Sequence, residues 1–407
     1  MNYKYAATCL FGLEGLLGAE IDALGFHRTE TIDGRVYFEG DETAAAKANI
    51  WLRTAERVFL VLGSFPAPTF DALFEGTKAL PLEEFIGKDD AFPVKGHSVK
   101  SQLTSIPDCQ KIVKKAASVR LGNVYRTDWM KETGTKYQIE FFILKDVATL
   151  MIDLSGTALH KRGYRPESAA APLRETLAAA LVKISRPRED VLFWDPMCGS
   201  GTIPTEAALF MTNTAPGLYR GFAGEMYPFI GSKTWSDARE EARSLIRQTG
   251  FEAYASDIDG DCVELAQKTV RNAGMDGVVK VFRRNALEIT SEGRRGTIVC
   301  NPPYGERLLD IKEAEKLYAA MGRHFKTLEP WQIYIITSNE SFERLYGRRA
   351  DAKRKLYNGM IPCTYYQFFK KGRGQNDLRK NSAACRIRRK AQAYNRSGQN
   401  LGDEQTP

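Results

Sequence analysis

VLFWDPMCGSGTIPTEAAL, residues 191–209, is the stretch from which the fold is read. Residues 191–194 read as a short buried strand, Asp195 stands at its carboxyl end, Gly199 and Gly201 make the turn, and a helix starts near Thr202. Glycine is needed there because a side chain would hold a ligand away from the backbone amides of the turn. A strand capped by a carboxylate and followed by such a turn suits a ligand with a cationic amino-acid end and a ribose. It does not suit a pyrophosphate, which Asp195 would repel, and no G-x-x-x-x-G-K-[ST] phosphate loop occurs. A G-x-G after a strand is by itself as often a packing device as a ligand turn, so the surroundings decide.

Three later strands carry that decision. FEAYASDID, 251–259, ends in acids one βα unit downstream, where a neighbouring parallel strand would place Asp257 to accept both ribose hydroxyls; Asp259 competes for that role. VVKVFRRNALEI then delivers Asn285 and Ala286 to the same edge, where an amide meets an adenine amine, although asparagine at a strand end is also a common turn residue. TIVCNPPYGERL, 297–308, ends an apolar strand in Asn301-Pro302-Pro303-Tyr304. Tandem prolines fix φ and supply no N–H, which stiffens the loop that holds the Asn301 side chain and the Pro302 carbonyl. Both groups accept hydrogen bonds from the exocyclic NH2 of a base, drawing its lone pair out of conjugation with the ring. Tyr304 offers a face on which a flipped base could stack.

Together with the amphipathic helix LRETLAAALVKI, 173–184, these segments alternate strand and helix, the pattern of a parallel sheet covered on both faces. The amino-terminal half reads as smaller α+β units. Strands are expected over 3–10, 35–39, 57–65, 92–99, 137–144 and 147–153, and helices over 12–24, 70–79, 82–86 and 108–121. The last of these helices carries Lys111, Lys114, Lys115 and Arg120, spaced so that several share one face. That face could track phosphates, and an ordinary solvated helix reads equally well. Arg162 and Arg165 flank the start of the carboxyl-terminal half and either meet a nucleic-acid phosphate or cap a linker. From Lys371 onward basic residues stand among polar ones with almost nothing to bury, and the last ~20 residues read as a disordered tail.

Composition narrows the setting. The chain has 407 residues, a formal charge of +8, and 43% hydrophobic with 11% aromatic residues, enough for two or three cores and suited to a polyanionic partner. Seven cysteines lie far apart without metal-ligand or disulfide-framework spacing, so no metal is expected. The amino terminus lacks a signal-peptide pattern and no apolar run of membrane-spanning length occurs, so a reduced, cytoplasmic setting is expected. None of the four histidines falls in a motif that needs a base.

DPMCGSGT, the acid of SDID and NPPYGERL, in this order, resemble class I amino-methyltransferases acting on nucleic acid. With LHKRGYR at 159–165 and APLRETLAAAL at 171–181 the chain resembles a THUMP-domain RNA methyltransferase. The insertion containing APGLYRGF and W-x-x-x-R-E-E-A is similar to the branch that makes N2-methylguanosine in large-subunit ribosomal RNA. The likeness extends to about residue 385. It implies an α/β fold, a Rossmann-like catalytic domain with a mostly parallel seven-stranded sheet, preceded by an α+β ferredoxin-like and THUMP RNA-binding region. The implied divisions are 1–58 ferredoxin-like, 59–158 THUMP, 159–385 methyltransferase and 386–407 tail. It also implies S-adenosyl-L-methionine as cofactor. Asp195, Pro196, Met197, Cys198, Gly199, Ser200, Gly201 and Thr202 would contact its methionine end, Asp257 and Ile258 its ribose side, and Asn285 and Ala286 its adenine. Asn301, Pro302, Pro303 and Tyr304 would hold the target base of an RNA, 23S rRNA or a ribosomal assembly intermediate, with no membrane partner. Some relatives fuse a second methyltransferase domain at the carboxyl end, for which this chain has no room, so one modification is expected. The alternatives are a guanine-N2 enzyme of tRNA, an adenine-N6 enzyme, or an RNA-binding protein without catalysis.

Overall fold

A computed structural model describes residues 2–166, 173–304, 311–328 and 330–369. The basic stretch from Lys371 and the expected tail lie outside them. In the amino-terminal half the elements run β1 (Tyr3–Cys9), α1 (Glu14–Ala23), β2 (His27–Ile32), β3 (Arg35–Gly40), α2 (Glu42–Trp51), β4 (Ala55–Pro66), α3 (Phe70–Ala79), β5 (Val94–Val99), α4 (Ile106–Tyr125), β6 (Ile139–Leu144) and β7 (Val147–Asp153). Residues 82–86, expected to be helical, make only a 3₁₀ turn over Leu82–Glu84. β2 went unanticipated because HRTETI is an exposed edge strand with no apolar alternation.

These strands form one sheet in the order β2-β3-β1-β4-β7-β6-β5, antiparallel except for the β5–β6 pair. β4 pairs with β1 along its first half and with β7 from Phe59 onward, so two units share one sheet, and the division expected between residues 58 and 59 falls inside this strand. One face is packed against helices. A Cβ on Gly76 of α3 would lie 2.1 Å from the Phe65 ring, and one on Gly63 would lie 2.5 Å from Leu80. Phe38, Leu60, Phe141 and Ile143 are buried with that parity.

The carboxyl-terminal half continues with α5 (Glu175–Ser185), β8 (Leu192–Asp195), α6 (Thr202–Met211), α7 (Ser232–Ser244), β9 (Ala253–Asp257), α8 (Gly260–Asn272), β10 (Val279–Arg283), β11 (Gly296–Cys300), α9 (Ile311–Phe325), β12 (Gln332–Thr337), α10 (Phe342–Tyr346), β13 (Ala352–Asn358) and β14 (Ile361–Phe368). Their sheet runs β10-β9-β8-β11-β12-β14-β13. Its first five strands are parallel, and β14 enters antiparallel between β12 and β13. Trp194, Ile298, Tyr318, Met321, Ile335 and Phe342 build the core on one face. The chain leaves β8 toward β9 and β10 and returns to β11 on the other side. That reversal opens a crevice at the carboxyl ends of β8 and β11, the usual ligand position in such sheets.

Residues Met1–Phe368 form one compact unit, and buried polar contacts tie its halves together. The Glu20 carboxylate accepts from the Arg53 and Thr54 amides at 3.0 and 3.1 Å and from Lys183 Nζ at 2.7 Å. Arg53 in turn donates to the Thr214 carbonyl at 2.7 Å.

Candidate active site

Three strand ends converge on the crevice. Trp194 pairs with Ile298 and Asp195 with Ala255, so Asp195 ends β8 beside the tips of β9 and β11. Asp195 is 1% exposed, and its Oδ1 accepts the Met197 amide at 3.2 Å. Burial, reinforced by the neighbouring Asp257 charge, holds its carboxyl well above the usual carboxylate range. Such a group gains most from a cation brought against it. Asp257 ends β9 and straps down the turn: Oδ2 accepts the Gly199 amide at 2.9 Å and Oδ1 the Asp259 amide at 3.1 Å. The Cys198 amide donates to the Ser256 carbonyl at 3.0 Å.

The two glycines of the turn differ in purpose. Gly199 has φ +49°, and among the described residues no atom beyond its chain neighbours lies within 4 Å of where its Cβ would stand, so this is the open side of the loop. Gly201 has φ +74°, and a Cβ there would lie 3.0 Å from the Ala266 Cβ of α8; it serves helix packing. Ser200 and Thr202 share a hydroxyl contact at 3.0 Å, Pro196 and Cys198 are buried, and Met197 packs on the core. Asp259 caps α8 through the Asp261 amide at 2.9 Å, which leaves Asp257 as the strand-end acid facing the turn. Ile258, beside it, is an apolar side chain 60% exposed. Asn285 Oδ1 accepts the Leu287 amide at 3.0 Å and starts a 3₁₀ turn at the buried Ala286. Its carbonyl therefore plays the turn role.

β11 delivers Asn301-Pro302-Pro303-Tyr304 directly past Cys300. The Tyr318 hydroxyl of α9 donates to the Pro303 carbonyl at 2.7 Å and also lies 3.1 Å from Thr337 Oγ1. Tyr318 is fully buried, which pushes its phenol up to about 12. The loop is thus pinned from beneath, while no hydrogen bond reaches the Pro302 carbonyl among the described residues. Tyr304 departs from expectation. Its side chain is tied down at the hydroxyl, which donates to Asn301 Oδ1 and accepts from Cys363 Sγ of β14 at 3.9 Å. Burial raises the Tyr304 phenol well above its ordinary value, so it stays a donor. Tyr318 was not legible as a site residue, because a tyrosine within the apolar stripe of an amphipathic helix looks like any core residue.

The cations expected to meet RNA sort differently. Arg162 is a correction: its side chain is 2% exposed and paired with the equally buried Glu206 at 2.6 Å, so it faces no solvent. Arg165 pairs with Glu175 at 2.8 Å and binds the Leu173 carbonyl. On α4, Arg120 is engaged by both oxygens of Glu83, and Lys114 is held by Glu132 at 2.6 Å above the Phe92 ring. Only Lys111 and Lys115 of that set face solvent, Lys111 with a loose contact to Asp108 at 3.5 Å. Among the described residues no group of acids, histidines or cysteines could hold a metal, and no helix is long and apolar enough to cross a membrane.

Comparison with known proteins matches this geometry. Residues 162–367 fit the family described as "RMKL-like, methyltransferase domain", residues 4–59 the "RlmL ferredoxin-like domain" and residues 67–153 the "THUMP domain". The chain is 44% identical over 384 residues to "Putative RNA methyltransferase YpsC" of Bacillus subtilis (strain 168), covering 94% of this chain and all of that one. It is 34% identical over 396 residues to "Ribosomal RNA large subunit methyltransferase K/L" of Cellvibrio japonicus (strain Ueda107), covering 90% of this chain and 51% of that protein, about half its length. The solved structure of SMU.472, complexed with SAH, superposes with a TM-score of 0.85 at 40% identity, covering 91% of this chain and 99% of that one. The fold, the open glycine turn between two strand-end acids and these matches place the chain in the RMKL-like methyltransferase family, whose members take their methyl group from S-adenosylmethionine.

Proposed function

We propose that this protein methylates the exocyclic amine of guanine in 23S rRNA, forming N2-methylguanosine. The observation that carries the reading is the rigid Asn301–Tyr304 loop at the same sheet edge as the Gly199 turn, with a side-chain and a main-chain acceptor on consecutive residues. The THUMP match and the names of the two relatives, an RNA and a ribosomal RNA methyltransferase, support RNA as substrate.

The buried Asp195 carboxylate and the open side of the turn at Gly199 suit the cationic methionine end, Asp257 the ribose, and the exposed Ile258 the flat adenine. When bound, S-adenosylmethionine supplies an electrophilic sulfonium methyl whose leaving group is a neutral thioether. The chain's own part is to present the amine. Asn301 Oδ1 and the Pro302 carbonyl accept its two N–H groups, which draws the nitrogen lone pair out of conjugation with the ring without a strong base, and the proton that the methylated nitrogen sheds leaves to water. As the nitrogen gains positive charge, both dipoles already point at it. Tyr318 keeps them there by holding the Pro303 carbonyl. Tyr304 occupies Asn301 Oδ1 until the base amine displaces its hydroxyl.

The test is Asn301→Ala assayed on ribosomal RNA from cells lacking the protein. Turnover should fall about 10²–10³-fold, as when one preorganised dipole is removed from a reacting centre, while S-adenosylhomocysteine binds unchanged. Retained turnover would refute the role of Asn301, and N6-methyladenosine in the digested product would refute the guanine assignment.

A further inference from the structure

The helix-free face of the amino-terminal sheet has no part in the chemistry above, and it is built unlike a solvated surface. Strand alternation sends Phe59, Glu140 and Phe142 to the side opposite Leu60, Phe141 and Ile143, and a cavity of about 1400 Å³ opens there across β1, β3, β4, β5 and β6. That volume exceeds the usual 300–1,000 Å³ of a small-molecule pocket, and it suits a segment of polymer.

Arg35 lies at its floor. The residue is 7% exposed and its guanidinium stands 3.7 Å from the Phe142 ring centroid. Its Nε has no hydrogen-bond partner, and Nη1 reaches only the Tyr37 hydroxyl at 3.5 Å and Met151 Sδ at 3.9 Å. Among the described residues no carboxylate lies within ion-pair distance of it. A buried cation with unspent donors is costly unless an anion completes it. Lys95, Lys100, Lys136 and Lys145 also line the cavity, exposed and without ion-pair partners among the described residues. Two of its four acids are engaged, Asp153 with Arg57, and Glu56 with His160, Arg174 and Thr176. Of the other two, burial pushes Glu140 above the usual carboxylate range, and Asp33 stands exposed at the rim.

We propose that this open sheet face, and not the basic side of α4, is where the protein holds RNA: Arg35 takes a backbone phosphate against Phe142 while the rim lysines neutralise neighbouring phosphates. The inference rests on the RNA reading above. Phe59 is buried in the face itself, so the groups offered to an RNA are the partly buried Phe142, the exposed Phe11 and a guanidinium whose Nε is unpartnered, the kinds of group that grip single-stranded RNA. Direct contacts link this face to the strands of the catalytic edge. Phe11, 57% exposed, lines the cavity and meets Tyr357 of β13 edge-on at 6.1 Å, and Arg354 of that strand donates to the Gly12 carbonyl at 2.7 Å. The same hairpin carries Cys363 beside Tyr304.

The test is filter binding of the whole chain to large-subunit rRNA from cells lacking the protein, with S-adenosylhomocysteine titrated in parallel. The variant Lys95→Gln/Lys100→Gln/Lys145→Gln, confined to exposed positions, should bind RNA at least tenfold more weakly. It should also lose roughly 2 units of the salt slope, about 0.7 per phosphate contact, and still bind S-adenosylhomocysteine. Arg35→Gln should lower RNA affinity likewise, and Lys111→Gln/Lys115→Gln on α4 should stay within twofold of wild type. Wild-type affinity in the triple variant, or a larger loss in the α4 variant, would overturn the assignment. A wild-type chain that binds S-adenosylhomocysteine but not this RNA would instead overturn the RNA reading itself.

Discussion

Arg162→Met separates a structural arginine from an RNA-binding one. The methionine keeps most of the apolar stem but removes four contacts: Nε to Glu206 Oε1 at 2.6 Å, Nη2 to Glu206 Oε2 at 3.3 Å, Nη2 to the Arg53 carbonyl at 2.7 Å and Nη1 to the Leu159 carbonyl at 3.4 Å. Glu206, with a fully buried side chain, is then left with the Tyr164 hydroxyl at 2.7 Å. Removing one partner of a buried pair costs about 3–5 kcal/mol, because the other charge stays buried and uncompensated. At roughly 2–4 °C per kcal/mol for a domain of 150–250 residues, the melting temperature should drop by about 6–20 °C. Adding Glu206→Gln removes the stranded charge while keeping an acceptor for Tyr164, and should restore more than half of the loss. Calorimetry on both variants, beside RNA filter binding, reads the outcome. If Arg162→Met melts within about 2 °C of wild type and loses RNA affinity instead, the buried-latch account of Arg162 is wrong.

Other consequences follow from the site. Gly199→Ala should fold with a penalty of about 1 kcal/mol for its left-handed φ yet lose S-adenosylhomocysteine binding in calorimetry, because the added methyl projects into the open side of the loop. Gly201→Ala should show the opposite balance, a clear fall in melting temperature from the clash with Ala266. Tyr318→Phe removes one neutral hydrogen bond worth about 1 kcal/mol, so kcat should fall roughly five- to tenfold with S-adenosylhomocysteine affinity unchanged; a change in affinity alone would dissociate Tyr318 from the loop. Asp195 contributes one step to the pH dependence of the free protein. Its folded pKa is raised by burial, so the stability it contributes is full below the unfolded value of 3.8 and is lost as pH rises through the folded value. Asp195→Asn should therefore flatten the fall in melting temperature toward high pH and abolish the stabilisation that S-adenosylhomocysteine gives; an unchanged pH profile would contradict this.

The catalytic fold and edge were legible in the sequence because they rest on local, periodic signals. An apolar run ending in Asp195, another ending in Asn301, and glycines at 199 and 201 each name their own backbone duty, and parallel strands bring their carboxyl ends together without further information. Charge carries no such local signal. Arg120 and Lys114 look like free cations on one helix face, but each is neutralised by an acid remote in sequence, Glu83 and Glu132, and Arg162 by Glu206. Whether a basic residue is available is a property of tertiary pairing, which spacing along the chain does not encode. Arg35 shows the converse: RVYFEG reads as an ordinary strand, and only the register of β3 against β1, with β4, β7 and β6 beyond it, brings its guanidinium over Phe142 with no carboxylate of the described residues within ion-pair distance. The Tyr304 hydroxyl on Asn301 follows the same logic, since the motif names both residues but not that one occupies the other. What the sequence conceals in this protein is therefore which polar groups are already spent. That distinction is why the proposed RNA surface is the open sheet, with Arg35 and its rim lysines, and not α4, where only Lys111 and Lys115 face solvent.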